Sequence, residues 1–255
     1  MRQTTQKTAL VLGILVFISS TLCGANSRLI AKEDNQTSKI DSLYLHRDQG
    51  DNLDRSLTLI KEGLSKKPED PALLWREGRD LIRIGERAKT SDQKIQFYEQ
   101  ARKVLEQSLQ INPNQADAHC WLGIAMGRIG QARGILRSLF LLEPLRRQMH
   151  EALALDPRYE PALHVLGEVY LEIPHFVGGS LKKALALFKE ARAINPNDLV
   201  NLLSLGQTYQ KLGEKEKALA VLNAALAVKT PADPGEYQDN CKDIRRVIGE
   251  LSGKN

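Results

Sequence analysis

The stretch Leu202-Leu203-Ser204-Leu205-Gly206-Gln207-Thr208-Tyr209, followed by Ala218-Leu219-Ala220-Val221-Leu222 and Ala225, decides the fold. Leu202, Leu205, Gly206 and Tyr209 recur at the three-and-four spacing of one helix face, and Ala218, Leu222 and Ala225 repeat that pattern on a second helix. Glycine inside a helix costs about 1 kcal/mol relative to alanine, so Gly206 implies a point where two helix backbones approach closely. Three earlier segments carry the same landmarks. Leu163-x2-Leu166-Gly167-x2-Tyr170 leads to Ala184-x3-Phe188, Ala191 and Pro196; His119-x2-Leu122-Gly123-x2-Met126 leads to Leu145-x3-Met149, Ala152 and Pro157. Leu74-x2-Glu77-Gly78-x2-Leu81 leads to Ala101-x3-Leu105 and Pro113, and a fainter unit runs from Ile40 and Tyr44 through Ser56, Ile60 and Gly63 to Pro68.

Repetition of this kind predicts a stack of antiparallel helix pairs, and the pattern resembles the tetratricopeptide repeat. The expected architecture is all-α: a right-handed superhelical α-solenoid of about five helix pairs. Units fall at about 39–70, 71–115, 116–159, 160–198 and 199–232, and the second helix keeps one length, with a break twelve residues after Ser56, Ala101, Leu145, Ala184 and Ala218. The first half of each unit varies. The glycine-to-second-helix gap is 12 residues from Gly206, but 23 from Gly78, 22 from Gly123 and 17 from Gly167, leaving insertions of 11, 10 and 5 on one edge of the array. Residues 233–255 read as a capping helix and tail, with Ile244, Val247, Ile248 and Leu251 as its buried stripe and Lys242, Asp243, Arg245, Arg246 and Glu250 outward.

Arg2 and Lys7 precede an apolar run from Ala9 to Leu22 and the small residues Gly24 and Ala25, so residues 1–25 read as a secretory signal peptide. Residues 26–38 read as a disordered linker. The expected location is export to a periplasm; Leu22 before Cys23 disfavours lipid attachment, so membrane anchoring is the lesser alternative. The net charge of +5 falls to +3 without Arg2 and Lys7, and no basic, aromatic-studded element or helix-turn-helix signature points to nucleic acid. With the leader removed, Cys120 and Cys241 remain, and they read as buried thiols in different units.

No catalytic constellation emerges. The histidines form no HExxH, no cysteine pair has metal-ligand spacing, and Gly178-Gly179-Ser180 lacks the length and lysine of a phosphate loop. The expectation is a non-enzyme without a cofactor or metal. In the tetratricopeptide family the residue after the first interior position, and the one a turn later, face the concave groove. That resemblance assigns Trp75, Cys120, His164 and Leu203, then Arg79, Ile124, Glu168 and Gln207, to a partner- or ligand-binding groove. The groove lacks the Lys and Asn set by which chaperone-tail binders grip a carboxylate. His119 takes an interior position and reads as structural.

The insertions supply a second surface. Ile135 to Leu142 is an apolar run containing Leu139 and Phe140, which a neighbouring helix or a partner must cover. His175-Phe176-Val177-Gly178-Gly179 reads as a sharp turn with Phe176 and Val177 tucked beneath it. That Phe-x-Gly-Gly turn, with Trp121-Leu122-Gly123 and its long insertion, resembles the T-component family of tripartite ATP-independent periplasmic transporters and the related regulator-of-microtubule-dynamics proteins. The resemblance implies an exported adaptor for a solute-binding transport protein. The alternatives are a carrier for a small hydrophobic or organic-acid ligand in the groove, and self-assembly into a homo-oligomer through the insertions.

Overall fold

The computed structural model describes residues 35–253, and among these every regular element is helical. The leader and residues 26–34 of the expected linker lie outside them. Helix α1 spans 35–45, so residues 36–38 continue a helix where linker was expected; Ile40 and Tyr44 bury one face of it. There follow α2 (Asn52–Lys66), α3 (Pro71–Arg87), α4 (Ser91–Ile111), α5 (Ala116–Arg133), α6 (Ile135–Leu155), α7 (Glu160–Glu172), α8 (Leu181–Ile194), α9 (Leu199–Lys211), α10 (Lys215–Leu226) and α11 (Tyr237–Ser252). Short 3-10 turns cover His175–Val177 and Pro234–Glu236. The chain is an α-solenoid of helix pairs.

Local chemistry sets the boundaries. Asp70 accepts from the backbone N–H groups of Ala72 and Leu73 and precedes Pro71, while Asp198 accepts from Val200 and Asn201. Thr90 and Ser180 cap α4 and α8 in the same way, each satisfying a donor that the first helical turn leaves without a partner. Pro113, Pro157 and Pro196 each follow the second helix of a pair by two residues, where they stop it from continuing.

The repeated glycines are the contact points within each pair. A Cβ at Gly78 would meet the Leu105 side chain, at Gly123 that of Met149, at Gly167 Phe188 at 2.5 Å, and at Gly206 Leu222 at 2.5 Å. In every case the partner is the large residue four positions after the residue that opens the second-helix motif, alanine in three pairs and Leu145 in the fourth. Interior residues form two large clusters. One runs from Trp75 and Leu81 through Cys120 and Met149 to Leu166, and the other from Leu171 through Phe188, Leu205 and Leu222 to Cys241 and Val247. Helix α11 closes the second cluster with Cys241, Ile244 and Val247 inward and Lys242, Asp243, Arg245, Arg246 and Glu250 exposed.

Two insertions lengthen the helices on either side of them. α3, α4, α5 and α6 have 17, 21, 18 and 21 residues, against 13 and 12 for α9 and α10. Only Gly134, at φ 94°, separates α5 from α6, a left-handed conformation that glycine adopts without steric cost. Pro144 lies inside α6, immediately before the template residue Leu145. The third insertion is the tight turn at 174–180. Gly178 has φ 101°, Val177 and Gly179 donate to the Pro174 carbonyl, and Ser180 donates to the Tyr170 carbonyl. Phe176 does not tuck under this turn: it is 88% exposed. The Gly179 backbone packs directly on the Ile173 carbonyl, leaving no space beneath for an aromatic ring.

Candidate functional site

The inner residues assigned from the sequence divide by burial. Trp75, Arg79 and Cys120 are buried; Ile124, His164, Glu168, Leu203 and Gln207 are half-buried. Arg79 lies 3.7 Å from the Tyr44 ring centroid, donates Nη1 to Asp41 at 2.8 Å and donates Nε to Asp80 at 2.9 Å. Asp80 is fully buried and also accepts from the Ser56 hydroxyl. Burial pushes the Asp80 carboxyl up, against the pull of Arg79 and Ser56. Asp41 goes the other way: burial would raise it, but hydrogen bonds and charges from Arg76 and Arg79 hold it below the usual carboxylate range. The Trp75 ring is faced by Arg76, 4.3 Å from its centroid. These groups are occupied in an internal ionic network.

A second cluster adjoins this network. The Tyr44 and Trp121 rings meet edge to face with centroids 6.3 Å apart. Arg83 lies over Trp121 at 5.4 Å and donates Nε to the Tyr44 hydroxyl at 3.0 Å. Arg47, 3% exposed, lies over the Tyr44 ring, 4.4 Å from its centroid. Its guanidinium donates to both Asp233 oxygens at 2.8 and 2.6 Å and pairs with Glu236 at 2.8 Å. Glu236 also pairs with Arg83 at 2.8 Å. The turn before α11 is thereby fastened to the turn after α1 and to α3.

Sequence reasoning placed neither Arg47 nor Arg83 in a site, and used Trp121 only as a family landmark. A signal existed: Arg76, Arg79, Arg83 and Arg87 recur at three-and-four spacing on α3, which forms one stripe. Such a stripe reads as a solvated face until the aromatic rings and acids from distant segments are placed on it.

Further along the wall, the His164 ring is 5.6 Å from Phe188, and its Nδ1 has no hydrogen-bond partner; nor does Oε1 of Glu168, one turn later. His119 accepts a structural role, its ring nitrogens contacting Gln148 Oε1 at 2.7 Å and the Pro113 carbonyl at 2.9 Å. At the first turns of α5, α7 and α9, Tyr159 donates to Asp117 at 2.7 Å, and Glu160 lies near enough to Asp198 to feel its charge. Burial, and then the Asp198 charge, push Glu160 up to about 8.

On the turn edge, Leu139 is 40% and Phe140 78% exposed, Val177 is half-buried, and His175 and Gly178 are exposed beside Phe176. Leu141 packs on the first cluster, so the apolar run divides between core and surface. Gly179 is buried. Cys120 and Cys241 are free and buried. Among the described residues no group of three or more potential ligands could hold a metal ion, and no helix is long and apolar enough to cross a membrane.

Stacked helix pairs of this kind define a tetratricopeptide-like helical-repeat protein. The family model described as regulator of microtubule dynamics protein 1-3 matches residues 36–176 and 169–249, and the chain belongs to that family. Regulator of microtubule dynamics protein 1 of Bos taurus is 27% identical over 208 residues, covering 74% of this chain and 65% of the relative. The Mus musculus protein is 28% identical over 204 residues, covering 73% and 65%. The chain therefore spans just under two thirds of the length of these curated relatives. Among solved structures, a thermophilic tetratricopeptide-repeat protein of Thermus thermophilus matches with a TM-score of 0.62 at 23% identity, over 86% of this chain and 98% of the other, a likeness of fold.

Of the two families that the Phe-x-Gly-Gly turn resembles, the matching one is the regulator of microtubule dynamics. The exported, periplasmic location expected from the leader is overturned by that family: its relatives here belong to cattle, orangutan and mouse, whose cells have no periplasm.

Proposed function

We propose that the chain is a non-catalytic adaptor that holds a protein partner belonging to the machinery controlling microtubule assembly. Membership of the regulator of microtubule dynamics family supports this reading and carries it. The geometry adds two surfaces with the character of contact sites: the half-buried wall of Ile124, His164, Glu168, Leu203 and Gln207, and the turn edge bearing Leu139, Phe140, His175, Phe176, Val177 and Gly178. Large aromatic side chains left in water at such an edge gain apolar burial when a partner covers them. A solute-binding transport component has no observation behind it once the periplasmic location falls. The arginine and aromatic side chains around α1, α3 and α5 pair with one another at that end of the wall, which weighs against a ligand-carrying groove there.

The test is the growth rate of microtubules from purified tubulin with and without the protein. A change that Phe140→Ser with Phe176→Ser abolishes is the expected result. Unaltered growth with the wild-type protein would overturn the microtubule assignment, and a chemical turnover traced to its side chains would overturn the adaptor.

A further inference from the structure

Residues Asp233-Pro234-Gly235-Glu236 are held on the inner arginine cluster almost wholly by charge. Asp233 and Glu236 reach Arg47, and Glu236 also reaches Arg83, while the adjoining segment adds one backbone bond, from Ala232 N–H to the Asn197 carbonyl at 3.1 Å. The two sides of the contact are unlike. Arg47 is 3% exposed, stacked on Tyr44, and bonded through Nη1 to the Tyr44 carbonyl at 3.1 Å. Asp233 and Glu236 are 28% and 27% exposed, at the two ends of a short 3-10 turn with prolines at 231 and 234. One partner is a fixed receptor, and the other is an edge that water and competing anions reach.

A buried guanidinium left without an anion is strongly destabilising, so the cluster requires carboxylates whichever chain supplies them. Exchanging one carboxylate pair for another leaves the number of ionic contacts unchanged, and the planar fork of arginine accepts either. We propose that Tyr44, Arg47, Arg83 and Trp121 form a receptor for an acidic peptide segment with two carboxylates three residues apart, and that the turn 233–236 is its resident occupant, displaced when a partner's segment binds. This inference rests on the adaptor reading and gives the partner its chemistry. The tether sets the barrier: an attached occupant competes at an effective concentration in the millimolar range, so the free site is seen only when the turn is weakened.

The test uses the full chain and a fluorescein-labelled peptide of its own residues 230–240, followed by fluorescence anisotropy. Asp233→Asn with Glu236→Gln removes the occupant's charges while leaving neutral amide acceptors beside Arg47 and every receptor side chain unchanged. The peptide is expected to bind this variant at least about tenfold more tightly than wild type, with affinity falling severalfold as salt rises to roughly 300 mM. Adding Arg47→Met is expected to abolish binding, and a peptide carrying Asn and Gln at the two acidic positions is expected not to bind. Gly235→Ala is the second route. Its Cβ would lie 3.0 Å from the Leu45 carbonyl and 2.8 Å from Arg47 Nη1, so it lifts the turn while keeping every charge. Equal binding to wild type and to both variants, or equal binding of the neutral peptide, would sink the proposal. Either result leaves the adaptor reading standing, since that is tested separately by microtubule growth with the wild-type protein.

Discussion

The α3–α4 and α9–α10 pairs share one template and fill it with different chemistry. In both, a first-helix glycine lies against a second-helix leucine, Gly78 on Leu105 and Gly206 on Leu222. The polar groups buried in α9 are neutral: Asn201 Nδ2 donates to the Phe188 carbonyl of α8 at 3.0 Å while its Oδ1 has no partner, and the Thr208 hydroxyl donates to the Ser204 carbonyl at 2.7 Å. Those buried in α3 are ionic, with Arg79 and Asp80 joined to Asp41 and Ser56 from the preceding unit. Neutral groups answered by backbone carbonyls leave no charge in α9 that another unit must balance. Charges satisfied from other units make α3 depend on α1, α2 and the distant turn 233–236.

The largest test of that contrast is Arg79→Met, which leaves Asp80 buried with Ser56 alone. It is expected to cost about 3–5 kcal/mol in denaturant unfolding, against about 1 kcal/mol or less for Thr208→Val in α9. The loss is expected to be greater at pH 8 than at pH 5. Without arginine the Asp80 carboxyl is raised further, so the folded state keeps its proton at low pH and loses stability as pH rises. Similar costs for the two substitutions would erase the distinction.

Gly206→Val comes next. Its Cβ falls 2.5 Å from a fully buried Leu222, and overpacking of this kind is expected to lower stability by about 1–3 kcal/mol by calorimetry. Gly213 has open space around it but φ 76°, so Gly213→Ala is expected to cost about 1 kcal/mol through backbone strain alone. Equal losses at the two sites would show that helix approach is not what Gly206 provides.

Glu160 supplies a pH test of the junction between the two halves. Its folded pKa is raised from the ordinary 4.5 to about 8, so its stabilising share is full below 4.5 and disappears as pH rises toward 8. Glu160→Gln is expected to flatten that decline by about 2 kcal/mol, read as melting temperature against pH. A decline of the same size in the variant would place its origin elsewhere. The smallest effect belongs to Phe176→Ser, expected to change stability by less than about 0.5 kcal/mol because the ring makes little contact with the fold.

Landmarks that act within one helix pair were legible in the sequence. Gly206 and Leu222, or Gly167 and Phe188, are separated by about twenty residues and repeat, so spacing alone located them. The fate of the insertions was only half legible. The polar stretch at 86–96 and the apolar run from Ile135 are equally compatible with loops and with longer helices, and packing of Ser138 on Gly130 decides for helix. The inner wall was read least well. Trp75 and Arg79 were assigned to it by resemblance, yet Tyr44 and Asp41, from the unit before, cover Arg79. Arg47 finds Asp233 across 186 residues, a pairing no local pattern encodes.

Cys120 belongs to one interior cluster and Cys241 to the other, and both thiols are buried. With Cys23 replaced, the solenoid carries one chemical clock in each half. A thiol reagent added under native conditions would time the opening of each cluster separately, distinguishing one cooperative domain from two that breathe on their own.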